Sequence, residues 1–138
     1  LGDILTFPDI LRGAVSAVPE VTFYDGDVPE KVPQTGEYID PYVVLWAGMG
    51  ENPFEPTSCG THDTSTTVWD FQLTVVAATA DTCRRVASAV FGRVINLQVG
   101  TGRVRPNPDG FNQQSPLLDT TTSPARFMLP LQLRLITN

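Results

Sequence analysis

The sequence predicts an α+β domain. Two helices pack on a mostly antiparallel β-sheet in the rough order α-β-β-β-α-β-β, with long loops between. Three observations predict it. Between Asp70 and Val94 the hydrophobic period changes from two to about 3.6, which is a strand running into an amphipathic helix. The closing stretch Arg126–Ile136 sets Phe127, Leu129, Leu131, Leu133 and Leu135 on alternate positions, the pattern of a strand with one covered face. Residues 8–18 repeat apolar side chains at helical spacing. The 138 residues suit one domain, taken as 1–138. At this size roughly 70% of the unfolded surface can be buried, so a core forms without staples.

The first helix is expected over 8–18, PDILRGAVSAV. Pro8 suits the first helical position, Asp9 lies in the first turn, and Ile10, Leu11, Ala14, Val15 and Val18 give an apolar face that Pro19 ends. Val21–Tyr24 reads as a short strand closed by the turn Asp25-Gly26-Asp27. Residues 27–40, rich in proline and acid, read as a loop. Pro41–Trp46 is aromatic or β-branched at most positions and reads as a strand buried on both faces.

A second loop is expected over 48–64. From Ser65 to Val76 alternation resumes, with Trp69, Phe71, Leu73 and Val75 inward and Asp70, Gln72 and Thr74 on the wetter face. Thr79 is a helix N-cap, and Asp81 offsets the positive helix terminus. Cys83, Val86, Ala87, Val90, Phe91 and Val94 then form the apolar stripe of the second helix, leaving Arg84, Arg85, Ser88 and Arg93 outside. Gly100-Thr101-Gly102 is a turn and Arg103-Val104-Arg105 a short strand or edge. Residues 106–125 are the longest loop. In the closing strand, Pro130 cannot donate to a ladder, so an edge or a bulge is expected there.

Charge narrows the function. The net charge is −6, split between a first half (1–70) with two basic and twelve acidic side chains and a second half with seven arginines and three aspartates. An acidic chain is poorly suited to holding nucleic acid by its phosphates. The split, −10 against +4, suits a head-to-tail contact between copies. No run of about 18 apolar residues occurs, so no helical membrane span is expected. The chain opens on Leu1 rather than methionine, which suggests that an upstream piece was removed or left out. Cys59 and Cys83 are expected as reduced thiols. A disulfide between them is the alternative, and it would mark a secreted binding module.

The residue types that carry chemistry are thinly spread. His62 stands beside Asp63 with Ser58 and Ser65 nearby, but adjacency does not make a triad. Cys59, His62 and Asp63 are three possible zinc ligands without a second cluster. Asp25, Asp27 and Glu30 lack the full pattern of a calcium loop, and the glycines around Thr101 lack that of a phosphate loop. We therefore expect no catalytic residue, no cofactor and no metal. Trp46 and Trp69 are expected in the core. Arg103 and Arg105 share a strand face from which they can reach a carboxylate or phosphate.

The chain resembles tail terminator proteins of long flexible-tailed bacteriophages (siphoviruses), particularly those of actinobacteria. The resemblance runs through the helix ending at Val18-Pro19, FYDGDVP (Phe23–Pro29), PYVVLWAG (Pro41–Gly48), WDFQLTVVAAT (Trp69–Thr79), Arg85-Val86-Ala87 and LPLQLRL (Leu129–Leu135). It covers most of the chain in order. It implies a non-enzymatic virion protein, assembled in the host cytoplasm, that forms a hexameric ring at the head-proximal end of the tail. Such a ring ends polymerisation of the tail tube protein and joins the head-tail connector protein, and DNA passes through it without tight binding. The subunit or partner contacts expected on this basis are Arg84, Arg85, Arg103, Arg105, Glu51 and Glu55. Alternatives are another neck component, a connector or head-completion protein, and a small metal-dependent hydrolase built on His62, Asp63 and Cys59.

Overall fold

The computed structural model describes residues 2–28, 32, 34–36, 38–48, 67–110, 115–121 and 124–137. The elements are α1 (Gly2–Ser16), β1 (Thr22–Asp25), β2 (Gln34–Thr35), β3 (Tyr38–Ile39), β4 (Tyr42–Ala47), β5 (Thr67–Ala77), α2 (Ala80–Val94), β6 (Gln98–Val99), β7 (Gly102–Pro106), β8 (Leu117–Asp119) and β9 (Arg126–Thr137). The α+β class and the rough order of the elements are as the sequence predicts.

Strands β5 and β9 are the spine, paired antiparallel from Thr67↔Thr137 to Ala77↔Phe127. Around them the sheet runs β1-β4-β5-β9-β7-β6, with β8 beside the start of β9. Among the described strands only the β1–β4 pairing is parallel. Both helices lie on one face of the sheet. Phe7, Leu11 and Val15 of α1 and Cys83, Val90 and Val94 of α2 close over Leu45, Leu73, Val75 and Leu133 in the main core. The other face carries a smaller cluster of Ile39, Tyr42, Val44 and Val76, with Val28 and Val32 from the β1–β4 crossover against it.

Helix α2 forms as its sequence dictates. The Thr82 N–H donates to Thr79 Oγ1 at 3.2 Å, capping the helix. Cys83, Ala87, Val90 and Val94 are its buried residues. The Cys83 thiol donates to the Val75 carbonyl at 3.4 Å, and burial pushes its pKa up to about 11, so it remains a thiol.

Four expectations need correction. Helix α1 starts at Gly2 rather than Pro8, so Pro8 sits inside it. An interior proline costs about 3 kcal/mol. Phe7 offsets this: it is fully buried, with ring centroids 4.5 Å from Trp69 and 5.1 Å from Phe71. Burial of such a ring is worth about 1.5–3 kcal/mol, and each aromatic pair adds about 0.5–1.5.

Secondly, the presumed loop 27–40 holds the β2–β3 hairpin, with Gln34↔Ile39 and Thr35↔Tyr38 paired around Gly36 at φ 62°. Thirdly, the presumed loop 106–125 holds β8, which pairs with β9 from Leu117↔Met128 to Asp119↔Arg126. Two- and three-residue strands are too short to show a period. Fourthly, β9 is internal, not an edge. Pro130 lies in the gap between the stretch of β9 paired with β8 and the stretch paired with β7, where no ladder donor is needed on that side. The 48–64 loop lies almost wholly outside the described residues.

Candidate functional site

Trp46 was expected in the core, and the structure places it 47% exposed. Strand β4 is buried on both faces from Tyr42 to Leu45, because the helices cover one side and Val28, Val32 and Ile39 the other. That second cover ends before Trp46. The side chain instead borders a hollow of about 250 Å³ on the sheet face opposite the helices, lined mainly by Val44, Thr74, Met128, Pro130 and Leu117. Leu117 is itself 53% exposed.

The polar wall of this hollow is fixed by Arg126. Its Nε meets Asp119 Oδ2 at 3.0 Å, and its Nη1 donates to Tyr42 Oη at 2.7 Å. The Asp119 carboxyl is held low, at about 2, first by the Thr121 hydroxyl and backbone N–H and then by Arg126. Burial raises the Tyr42 pKa against the opposing pull of Arg126, so the phenol is neutral. The floor is a polar ladder: Gln132 Nε2 donates to Gln72 Oε1 at 2.6 Å, and Gln72 Nε2 donates to Thr74 Oγ1 at 2.7 Å. The result is an apolar, aromatic-edged recess with a single, already neutralised cation. Its chemistry is that of docking.

Further along the same face, Arg134 grips Asp70 with two hydrogen bonds, at 2.6 and 3.1 Å, and reaches Asp109 at 3.0 Å. The Arg134 contact lowers the Asp70 pKa, while Asp70 and then Asp109 raise that of Arg134. This triad clips β5, β9 and the turn after β7 together. Arg134 was not singled out from the sequence, because its pairing depends on strand register. Asp70 and Arg134 occupy outward positions on alternating strands, and the register sets them directly opposite.

The expected contact residues fall on separate surfaces. Arg84 and Arg85 are exposed on α2, where Arg85 pairs with Asp81 one turn back at 3.0 Å. Such an exposed pair is worth at most about 0.5 kcal/mol. Arg84 flanks a shallow apolar depression against Phe91 and Leu131.

Arg103 and Arg105 are on β7, at the far end of the sheet, and both engage Asn96. Arg103 Nη1 donates to its carbonyl at 2.9 Å and Nη2 to Gln98 Oε1 at 3.2 Å, while Arg105 Nη1 donates to Asn96 Oδ1 at 2.6 Å. These bonds hold a residue at φ 64° after the helix, and they use neutral acceptors, so neither guanidinium is paired with a carboxylate among the described residues. Glu51 and Glu55 lie outside the described residues, as do Ser58, Cys59, His62, Asp63, Ser65 and Glu30. Asp25 and Asp27 are exposed. Among the described residues no group of three or more His, Cys, Asp or Glu side chains could hold a metal ion, and no helix is long and apolar enough to cross a membrane.

No protein-family model matches the chain, and no curated protein sequence matches it significantly.

Proposed function

We propose that the chain is a virion structural protein, a tail terminator that assembles as a ring on the end of the phage tail tube, stops its growth and offers a surface to the head-tail connector. The observation that carries the reading is the recess edged by exposed Trp46 and Leu117 on the sheet face the helices leave free. An exposed aromatic beside apolar walls and a fixed arginine is the usual make-up of a protein-docking anchor. The sequence stretches that resemble tail terminators support it too, since they include both PYVVLWAG, which holds Trp46, and LPLQLRL, which contributes Pro130 to the lining.

Co-sedimentation of the full chain with purified tail tubes tests the proposal, with binding at tube ends as the expected result. Negative-stain images of tails made without the protein should show overlong tubes. Tails of normal length that lack heads would point to a connector instead, and absence of tube binding at every salt concentration would remove the reading.

A further inference from the structure

The two ends of the sheet carry opposite charge. Strand β1 is terminal on one side, pairing with β4 alone among the described strands, and β6 is terminal on the other, pairing with β7 alone. A terminal strand presents a row of unpaired N–H and C=O groups to whatever approaches it. From residue 18 to residue 28, around β1, the sequence holds Glu20, Asp25 and Asp27 and no cation. All three carboxylates are exposed and form no ion pair with a described residue. Arg12, whose guanidinium lies 5.4 Å from the Phe23 ring centroid, is a cation beside this edge, which stays net acidic. From residue 93 to residue 108, around β6 and β7, the sequence holds Arg93, Arg103 and Arg105 and no carboxylate.

We infer that the Arg103/Arg105 edge of one copy docks against the Asp25/Asp27 edge of a second copy, head to tail. The two patches lie four or five strands apart, about 20 Å at about 4.8 Å per strand, so one copy cannot satisfy both by itself. Different patches on opposite ends make a heterologous contact, which repeats until it closes as a ring or continues as a filament. Closure as a ring rests on the tail-terminator reading; the edge pairing does not. Fixing of Arg103 and Arg105 by Asn96 and Gln98 favours the contact, because neither guanidinium must be ordered on docking.

Sedimentation velocity of the full chain over a concentration series, in low and in high salt, tests this. The expected result is self-association in low salt that weakens in high salt. The pairs Asp25→Arg with Asp27→Arg, and Arg103→Glu with Arg105→Glu, should each weaken it by roughly tenfold or more, because like charges then face each other. The fourfold variant should associate again, a recovery that a folding defect cannot imitate, and the two double variants should associate when mixed. A chain that stays monomeric throughout overturns the inference, as does association indifferent to both reversals. If tubes are capped but the reversals change nothing, the edge pairing fails and the proposed function stands. If the reversals behave as expected but no tube is bound, the function fails and the edge pairing stands.

Discussion

Replacing Phe7 with alanine is the sharpest test of how the helices seat on the sheet. The Phe7 side chain is fully buried and touches both Trp69 and Phe71, at ring-centroid distances of 4.5 and 5.1 Å. Truncation of a buried phenylalanine costs about 3–5 kcal/mol, and loss of two aromatic contacts places this site in the upper part of that range. For a domain of this length each kcal/mol moves the melting temperature by about 3 °C, so a fall of about 10–15 °C is expected. Urea unfolding followed by fluorescence should report it, since Trp69 adjoins the cavity, and far-ultraviolet dichroism should give the same midpoint if unfolding is two-state. The slope with urea should not change. Phe7→Leu, which keeps most of the volume, should cost less than about 1.5 kcal/mol. A loss below about 1 kcal/mol for Phe7→Ala would refute the docking of the turn before Pro8 and return the start of α1 to Pro8, as periodicity alone suggests.

Three further outcomes follow from particular contacts. The Asp119 carboxyl is depressed to about 2 from an ordinary 3.8, so its contribution to stability is complete above the ordinary value and is lost as pH falls through about 2. Acid titration of stability should therefore lose part of its slope below pH 3.8 in Asp119→Asn, and an unchanged profile would disprove the Thr121 and Arg126 contacts. At Gly102 a Cβ would fall onto the Ile136 backbone carbonyl, which cannot move aside, so Gly102→Ala should cost about 2–3 kcal/mol and speed hydrogen exchange in β7. Trp46→Ser should change folding stability by less than about 1 kcal/mol, because the side chain is half exposed, while reducing tail-tube binding in co-sedimentation; equal loss of both would make Trp46 a core residue.

Legibility of the fold tracked how completely the chain covers each element by itself. As far as Leu73, strand β5 has one face against the core and a more open one carrying Asp70 and Gln72, and helix α2 is likewise two-faced. Trp69, Phe71 and Leu73, and then Cys83, Val90 and Val94, therefore stand out from their neighbours by period alone. Beyond that point Thr74, expected on the wetter face, is buried, because the second cluster with Val76 covers that side. Thr79 was readable because capping is local chemistry. Contacts that depend on register were not readable: the facing of Asp70 and Arg134 exists only once β5 and β9 are aligned. Nor was the start of α1, where a tertiary contact through Phe7 overrides the local preference of Pro8.

Trp46 departs from the pattern of the strand that carries it. Tyr42 to Leu45 are buried on both faces, and Trp46 continues the same apolar run. An apolar run records that a side chain is suited to burial; it does not record what does the burying. Up to Leu45 the cover comes from the helices on one side and from Ile39, Val28 and Val32 on the other, and at Trp46 the second cover has ended. A large aromatic left at the rim of a strand, over a ladder of satisfied glutamines and beside an arginine already held by Asp119, has its polar neighbours accounted for and its own surface unspent. Disagreement between local pattern and observed burial is expected at functional positions. On the proposed function, a second polypeptide completes the burial that the sequence prepares for Trp46, a side chain absent from the contact residues that charge and resemblance point to.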